Sequence, residues 1–128
     1  MIAAGALAIC LAAGEARARI PATRFTLAWQ HTIERIDWEE DYLVAGDWLF
    51  LSAARVRGSG AGMEPEAGAV WIDGAWSYPP RVRWFRELTL ARSEFGADHR
   101  LCLEGVCRPL SHWVPLASPT TIAPCAAQ

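Results

Sequence analysis

The segment Phe25-Thr-Leu-Ala-Trp-Gln-His31 decides the fold class, because its larger apolar residues recur at every second position and the series ends on a histidine. Successive side chains of a β-strand point to opposite faces, so this period of two predicts a half-buried strand. Trp38–Val44 repeats the pattern, with aromatic and aliphatic residues on one side and Glu39 and Asp41 on the other. The two segments therefore predict neighbouring half-buried strands.

Trp48–Arg57 predicts a third strand, which follows a turn in Ala45-Gly46-Asp47. If the loop has three residues, Asp37 on the second strand faces Arg55 on the third. A two-residue Gly46-Asp47 turn would shift this register by one position. The sequence leaves both registers open.

The chain beyond the third strand predicts further short strands joined by turns, and it shows no sustained helical periodicity. Asp-Gly and Glu-Gly dipeptides between aromatic or aliphatic runs indicate tight hairpins. We therefore expect an all-β domain, either a small antiparallel sandwich or a partly open barrel. The later predicted strands and hairpins are Ala69–Ile72 with Ala75–Tyr78, the strand Leu88–Arg92, and Arg100–Pro109 turning at Glu104-Gly105.

Composition limits the classes of function. The chain has 128 residues, enough for one domain, and 52% of them are hydrophobic. Its net charge is −2 and no basic face is evident, which argues against nucleic-acid binding. The sequence lacks a Gly-x-Ser-x-Gly elbow, a P-loop, a dinucleotide fingerprint and a His-Glu-x-x-His motif. We therefore expect a protein that is not an enzyme and that carries no cofactor.

The first eighteen residues resemble a secretory signal peptide. Ile2–Ala13 is an apolar run too short to cross a bilayer as a helix, and Ala16-Arg-Ala18 fits the small-x-small pattern of signal peptidase sites. We expect residues 1–18 to be a cleaved leader, with a short uncleaved inner-membrane anchor as the alternative. The protein would then be periplasmic, with one β-domain over residues 19–113 and an extended or loosely ordered tail over residues 114–128. Membrane contact would come only from a retained leader.

The cysteines fit an exported protein. The two-residue turn of the last hairpin places Cys102 opposite Cys107 at a non-hydrogen-bonded pair, where Cα atoms lie roughly 4.5–5.5 Å apart. This geometry suits a disulfide, and export would favour it, although two buried thiols or a metal site are the alternatives. Cys10 would leave with the leader, so Cys125 is the odd thiol and has no assigned role.

The acidic segment, His31–Tyr42, contains one histidine and five of the chain's fourteen acidic residues. One interpretation is a solvated acidic sheet edge that discourages strand-to-strand aggregation. The other is a site, with His31, Glu34 and either Glu39 or Asp41 as candidate ligands of a cation. Trp38 would then form one wall of a ligand pocket beside these residues.

A loop with alternating glycines, Gly58, Gly60 and Gly62, follows the third strand. The glycines either allow positive φ angles where the strand ends or form a nest of N–H groups that binds an anion or a carboxylate. If the second and third strands pair, this loop begins near the start of the acidic segment. We therefore expect His31, Glu34 and Glu39 to lie together beside it.

At these same residues the chain resembles a known group, the domain-of-unknown-function family numbered 1850. The resemblance extends over Phe25–Leu110, with Thr32 where the family has serine and one residue inserted before Pro65. Four motifs carry it, in this order: Trp29-Gln-His-Thr-Ile-Glu-Arg35, Trp38-Glu-Glu-Asp-Tyr42, Arg57-Gly-Ser-Gly-Ala-Gly-Met-Glu-Pro65 and Leu101-Cys-Leu-Glu-Gly-Val-Cys-Arg-Pro-Leu110.

The resemblance implies a small exported bacterial protein whose gene often neighbours a TRAP-type transporter of the TAXI subclass. It implies no established activity. His31, Glu34 and Glu39 match the family pattern in type and place. We therefore expect a non-enzymatic accessory that binds a transporter component or the transporter's substrate, with a stand-alone periplasmic module for a metal or small ligand as the alternative.

Overall fold

The computed structural model describes residues 7–30, 36–57 and 67–128. Within these residues the only regular helix is one short 3₁₀ turn at Leu110–His112, and the remaining regular elements are strands. The strands are β1 (Leu7–Ala13), β2 (Ala16–Ile20), β3 (Arg24–Gln30), β4 (Asp37–Ala45), β5 (Trp48–Arg57), β6 (Val70–Ile72), β7 (Ala75–Tyr78), β8 (Trp84–Phe85), β9 (Leu88–Leu90), β10 (Arg100–Leu103), β11 (Val106–Pro109) and β12 (Thr120–Ala126).

Two antiparallel sheets contain all of these strands. The larger sheet has the order β11-β10-β3-β4-β5-β7-β6, and β8 also pairs with β5. The smaller sheet has the order β2-β1-β12-β9. No helix in the described ranges has the length and hydrophobicity that crossing a bilayer requires.

The core lies between the apolar faces of the two sheets. Ile9, Leu11 and Ile122 of the smaller sheet pack with Leu27 and Leu101 of the larger one, and none of the five is more than 2% exposed. Burial of these side chains is the main favourable term that holds the two sheets together. The predicted all-β class is confirmed, as two packed antiparallel sheets that do not close into a barrel.

The turn between β4 and β5 sets the register of the acidic strand. It has two residues, Gly46-Asp47, so the three-residue alternative is wrong. Gly46 has φ +61°, which a type II′ hairpin turn requires at its first central position. A bulge farther along the strand pair shifts the register once more, so that Glu39 and not Asp37 faces Arg55.

The two later hairpins have the predicted turns. Asp73 and Gly74 join β6 to β7 with φ angles of 51° and 79°, and Glu104 and Gly105 join β10 to β11 with 49° and 82°. Positive φ at both central residues is the type I′ geometry, whose twist matches that of the flanking strands.

In the second of these hairpins, Cys102 and Cys107 are directly opposite each other and form a disulfide, with Cα atoms 3.9 Å apart. The predicted facing pair is therefore present in the structure.

The described part of the predicted leader forms two strands of the smaller sheet. β1 lies between β2 and β12, and a turn at Gly14-Glu15 reverses the chain. Ile9 and Leu11 are completely buried. The predicted start of the β-domain at residue 19 is therefore too late for this fold. A short apolar run is typical both of a signal peptide and of a strand buried on both faces, so the run alone does not distinguish the two. Cleavage after residue 18 itself stays a prediction.

The C-terminal tail is also part of the fold. β12 occupies an interior position between β1 and β9, and Ile122 is completely buried. Of the two predicted states of the tail, extended or loosely ordered, the structure has the extended one over Thr120–Ala126, as a strand of the smaller sheet. Cys125 is not an odd thiol, because it is bonded to Cys10 on the facing strand, 115 residues earlier. The bond links the two ends of the chain and could not be predicted once Cys10 was assigned to a leader.

A buried arginine fixes the connection between β9 and β12. The side chain of Arg92 is 0% exposed, and its Nε and Nη2 atoms each donate to the Asp98 carboxylate at 2.9 Å. Nη1 donates to the Pro115 carbonyl at 2.9 Å and to Thr120 Oγ1 at 3.0 Å. The buried charge is thereby both paired and fully hydrogen-bonded, as a buried cation must be.

Candidate functional site

The structure separates the two predicted site residues that it describes. Trp38 lies on the inner face of β4, where its ring stacks on Trp29 with centroids 6.4 Å apart. Glu39, the next residue, points to the outer face, so the two do not line one pocket. The other predicted site residues, which lie outside the described residues, are His31, Glu34, Gly58, Gly60 and Gly62.

The outer face of the larger sheet carries a network of ion pairs. Arg55 donates from Nε to Glu39 at 2.9 Å and from its two terminal nitrogens to the Asp41 carboxylate at 2.7 and 2.8 Å. Arg57 Nε donates to the second oxygen of Glu39 at 2.9 Å, and Thr26 Oγ1 donates to Asp41 at 2.7 Å. Cross-strand register brings these side chains together, because Glu39 faces Arg55 and Asp41 faces Thr26.

Charge pairing dominates the electrostatics of this network. Burial disfavours the charged form of Glu39, but hydrogen bonds from Arg57 and Arg55 outweigh it and lower the pKa of Glu39 below its ordinary value. The hydrogen bond from Arg55 likewise lowers the pKa of Asp41, and the two carboxylates raise the pKa of Arg55. The charges of the network are thus satisfied within the protein, which indicates a structural role.

The same network lines a groove of about 550 Å³ on the outer face. The Cys102–Cys107 disulfide and Glu104 line it as well, together with Arg24. Both oxygens of Glu39 already accept from arginines, so this carboxylate is not free to bind a cation. No group of three or more metal-ligating residues occurs in the described ranges. A cation site that uses His31 and Glu34 stays a prediction.

The inner face has a different feature, a cavity of about 250 Å³ between β9 of the smaller sheet and the β3–β4 pair of the larger one. Five residues with polar side-chain groups line it: Glu40, Tyr42, Glu87, Thr89 and His99. Its apolar walls are Leu27, Trp29, Phe85, Leu88 and Leu90. An apolar hollow with a few convergent polar groups is the usual form of a small-molecule site.

Glu40 is the unusual residue of this cavity. Its carboxylate accepts a hydrogen bond from the Tyr42 hydroxyl at 2.8 Å, and it forms no ion pair with any described residue. Burial raises the pKa of Glu40, and the Tyr42 hydrogen bond offsets this only in part. Burial, together with the charge of Glu40, also raises the pKa of Tyr42. Glu40 is therefore a desolvated carboxyl that has no cationic partner in the described part of the chain, as functional carboxylates often are.

His99 adds a neutral imidazole to the wall of the cavity. Its ring lies 6.1 Å from that of Trp29, and burial lowers the pKa of His99 although the charge of Asp98 opposes part of the change. The ring is therefore uncharged at neutral pH and does not neutralise the carboxylate of Glu40.

A family model of a domain of unknown function, DUF1850, matches residues 25–110, about two thirds of the chain. The chain belongs to this family. The predicted membership is thereby confirmed. No curated protein and no solved structure matches the chain.

The DUF1850 match contains both candidate surfaces. It begins one residue into β3 and ends at the first residue of the 3₁₀ turn, so every described strand of the larger sheet and β9 lie within it. The outer network and the inner cavity are therefore both built from the DUF1850 region, whereas β1, β2 and β12 complete the core outside it.

Sequence reasoning missed the two polar residues that distinguish the cavity of this DUF1850 domain. Glu40 could have been recognised from the sequence. It is two residues from both Trp38 and Tyr42, so strand alternation places this acid on the apolar side of the strand. No sequence pattern indicated His99, because it lies just before β10 in a segment without periodicity. The search for paired acids on the polar side drew attention to Glu39 instead.

Proposed function

We propose that this DUF1850 protein is a non-enzymatic accessory, exported to the periplasm, that binds a component of a TRAP-type transporter of the TAXI subclass. The resemblance of its motifs to the family implies the transporter and the compartment. Two properties of the molecule support the proposal: the oxidised state of its cysteines and the exposed apolar edge of its larger sheet.

The cysteines support export. All four are paired, as Cys10–Cys125 and Cys102–Cys107. Disulfides persist in oxidising compartments such as the bacterial periplasm and are rare in the reducing cytosol. A chain whose Cys102 and Cys107 are joined in a disulfide is therefore suited to the periplasm.

The exposed edge strand β6 is the reason for proposing a protein partner. Its residues Val70, Trp71 and Ile72 are 56%, 48% and 52% exposed. No described strand pairs with the outer edge of β6, so its backbone N–H and C=O groups face outward there. An exposed apolar edge is a template for the addition of an extended segment from another protein.

Two other sheet edges, β2 and β11, are protected against such addition. β2 carries Arg17 and Arg19, and β11 carries Arg108 and Pro109. Charge and proline are the usual means by which proteins prevent edge-to-edge pairing. β6 carries neither. The edge strand β9 of the smaller sheet also carries neither, but its Leu88 is buried, whereas all three residues of β6 are exposed. The exposed apolar side chains of β6 are therefore the observation on which the proposed docking site depends. The occupant we propose is an extended segment of a periplasmic or membrane component of the transporter.

The test is affinity purification of the tagged chain from native membranes, with components identified by mass spectrometry. We expect transporter components to co-purify with the unmodified chain and to be lost with Val70→Glu. Val106→Glu is the matched control, because Val106 is 57% exposed on β11 at the opposite end of the same sheet. Absence of transporter components from the unmodified sample would overturn the proposal. So would equal recovery with both variants, or recovery of only a second copy of the chain.

A second candidate function, a stand-alone module that binds a metal or small ligand, is favoured by the inner cavity, where the half-buried carboxyl of Glu40 forms no ion pair with any described residue. If the protein is such a stand-alone module, the purified chain should bind its ligand without any transporter component. Ligand binding by the isolated protein, together with no co-purification from membranes, would favour this candidate over the accessory.

A further inference from the structure

We propose that the inner cavity binds a small molecule with an apolar body and a protonated amine, the amine pairing with Glu40. The site is independent of the proposed docking edge, because β6 contributes nothing to the cavity walls. The proposal depends on the shape of the cavity, the nature of its walls and the absence of a cation beside Glu40 among the residues that the structure describes.

The walls select the body of the ligand. Trp29 and Phe85 present aromatic surface, and Leu27, Leu88 and Leu90 present aliphatic surface. A ligand that covers these side chains removes apolar area from water, which is the main source of affinity in such hollows. At about 250 Å³ the cavity lies just below the range typical of drug-sized ligands, so it suits a molecule with one ring or a short branched chain.

Glu40 selects the head group. One of its oxygens accepts from Tyr42, and no described residue donates to the other. The Tyr42 hydroxyl fixes the orientation of the carboxylate, because the ring of Tyr42 is itself held in the core, 3% exposed and stacked on Phe25 with centroids 5.2 Å apart. A protonated amine at the free oxygen would gain a charge-assisted hydrogen bond in surroundings of low polarity.

The charges around the cavity favour a cation over an anion. Glu40 and Glu87 are among its lining residues, His99 is neutral, and no arginine is among the described residues that line it. Arg81 lines a neighbouring hollow of about 450 Å³ that Glu40 and Phe85 also reach, but Arg81 forms no ion pair with Glu40. A carboxylate ligand would meet like charge in this cavity, and an amine would meet complementary charge.

The test compares three probes of similar shape on the purified full chain by titration calorimetry. They are phenethylamine, the neutral alcohol 2-phenylethanol and the anion 3-phenylpropionate. We expect phenethylamine to bind at least about tenfold more tightly than the alcohol, since a charge-assisted hydrogen bond contributes more than a tenfold change in affinity. Binding of 3-phenylpropionate should be weakest. Equal binding of the three, or no binding of the amine, would overturn the proposal.

Two variants locate the site. Glu40→Gln keeps the acceptor for Tyr42 and removes the charge, so it should fold and lose about tenfold or more in affinity for phenethylamine. Glu39→Gln, its matched control on the same strand, points to the opposite face and should bind as the unmodified chain does. Unchanged amine affinity in Glu40→Gln would exclude this cavity. The comparison of the three probes needs no variant, so it decides the charge preference even if a variant misfolds.

Discussion

Glu39 and Glu40 are neighbours on β4, yet the sheet gives them opposite surroundings. Glu39 is held on the outer face by Arg55 and Arg57, with its side chain 17% exposed. Glu40 lies on the inner face, beside an apolar cavity, with a tyrosine hydroxyl as its hydrogen-bond donor. Burial opposes ionisation of both, but only Glu39 has cations that reverse the effect on its pKa.

The difference teaches how to separate a structural carboxylate from a candidate ligand-binding one. A buried charge with complete partners stabilises a specific arrangement, and its removal leaves those partners unsatisfied. A buried carboxyl without a cation costs stability, and proteins keep such residues where a ligand supplies the missing partner. The outer network of this domain belongs to the first kind. Glu40, which forms no ion pair with a described residue, is the candidate for the second.

The largest expected effect is the loss of Arg55. Arg55→Ala removes the donors of both Glu39 and Asp41 at once, so the free energy of unfolding should fall by about 2 kcal/mol. Arg57→Ala is the control, because its side chain is 45% exposed and pairs with one carboxylate, for which a loss below about 1 kcal/mol is expected. Urea unfolding at neutral pH measures both. A loss in Arg57→Ala equal to that in Arg55→Ala would contradict a structural network centred on Arg55.

The next effect compares the two glutamates directly. Glu39→Gln should lower the free energy of unfolding by about 1 kcal/mol, because two guanidinium groups lose their charged acceptor. Glu40→Gln should leave stability unchanged or raise it, because the amide keeps the hydrogen bond from Tyr42 and removes a desolvated charge. Thermal and urea unfolding of the two variants side by side make the measurement. If Glu40→Gln were the more destabilising of the two, Glu40 would be structural.

Local patterns predicted much of the larger sheet. β5 was predicted with its observed bounds, and both positive-φ hairpins follow from their Asp-Gly and Glu-Gly dipeptides. These features depend on a few consecutive residues, so the sequence displays them directly. The disulfide Cys102–Cys107 is of the same kind, since a two-residue turn makes the two cysteines face each other.

The smaller sheet could not be predicted in this way. β1 pairs with β12 across almost the whole chain, and the Cys10–Cys125 bond spans 115 residues. Nothing local distinguishes Ile9 and Leu11 in a buried strand from the same residues in a signal peptide. The cavity could not be predicted for the same reason, because β9 lies over β3 and β4 only after the two sheets pack.

The smallest effect, and the sharpest comparison of the two faces, is the dependence of stability on pH. Asp41 has a pKa lowered from 3.8, chiefly by Arg55, so its contribution to stability is present above pH 3.8 and is lost as the pH falls below that value. Glu40 has a pKa raised from 4.5 by burial, so its contribution is present below pH 4.5 and is lost as the pH rises through its higher folded-state pKa. The titratable groups that line the same cavity as Glu40 are Tyr42, Glu87 and His99, and Arg81 lines the neighbouring hollow.

The stability of the unmodified chain relative to Glu40→Gln should therefore decrease as the pH rises from 4.5 towards neutrality. The stability of the unmodified chain relative to Asp41→Asn should instead decrease as the pH falls below 3.8. Urea unfolding across this range, with each variant measured beside the unmodified chain, gives the two slopes. Slopes of the same sign would mean that Glu40 has a cationic partner in solution, and the distinction between the two faces of β4 would then be wrong. A saturating amine ligand should reverse the Glu40 slope, because pairing with a cation favours the ionised carboxylate.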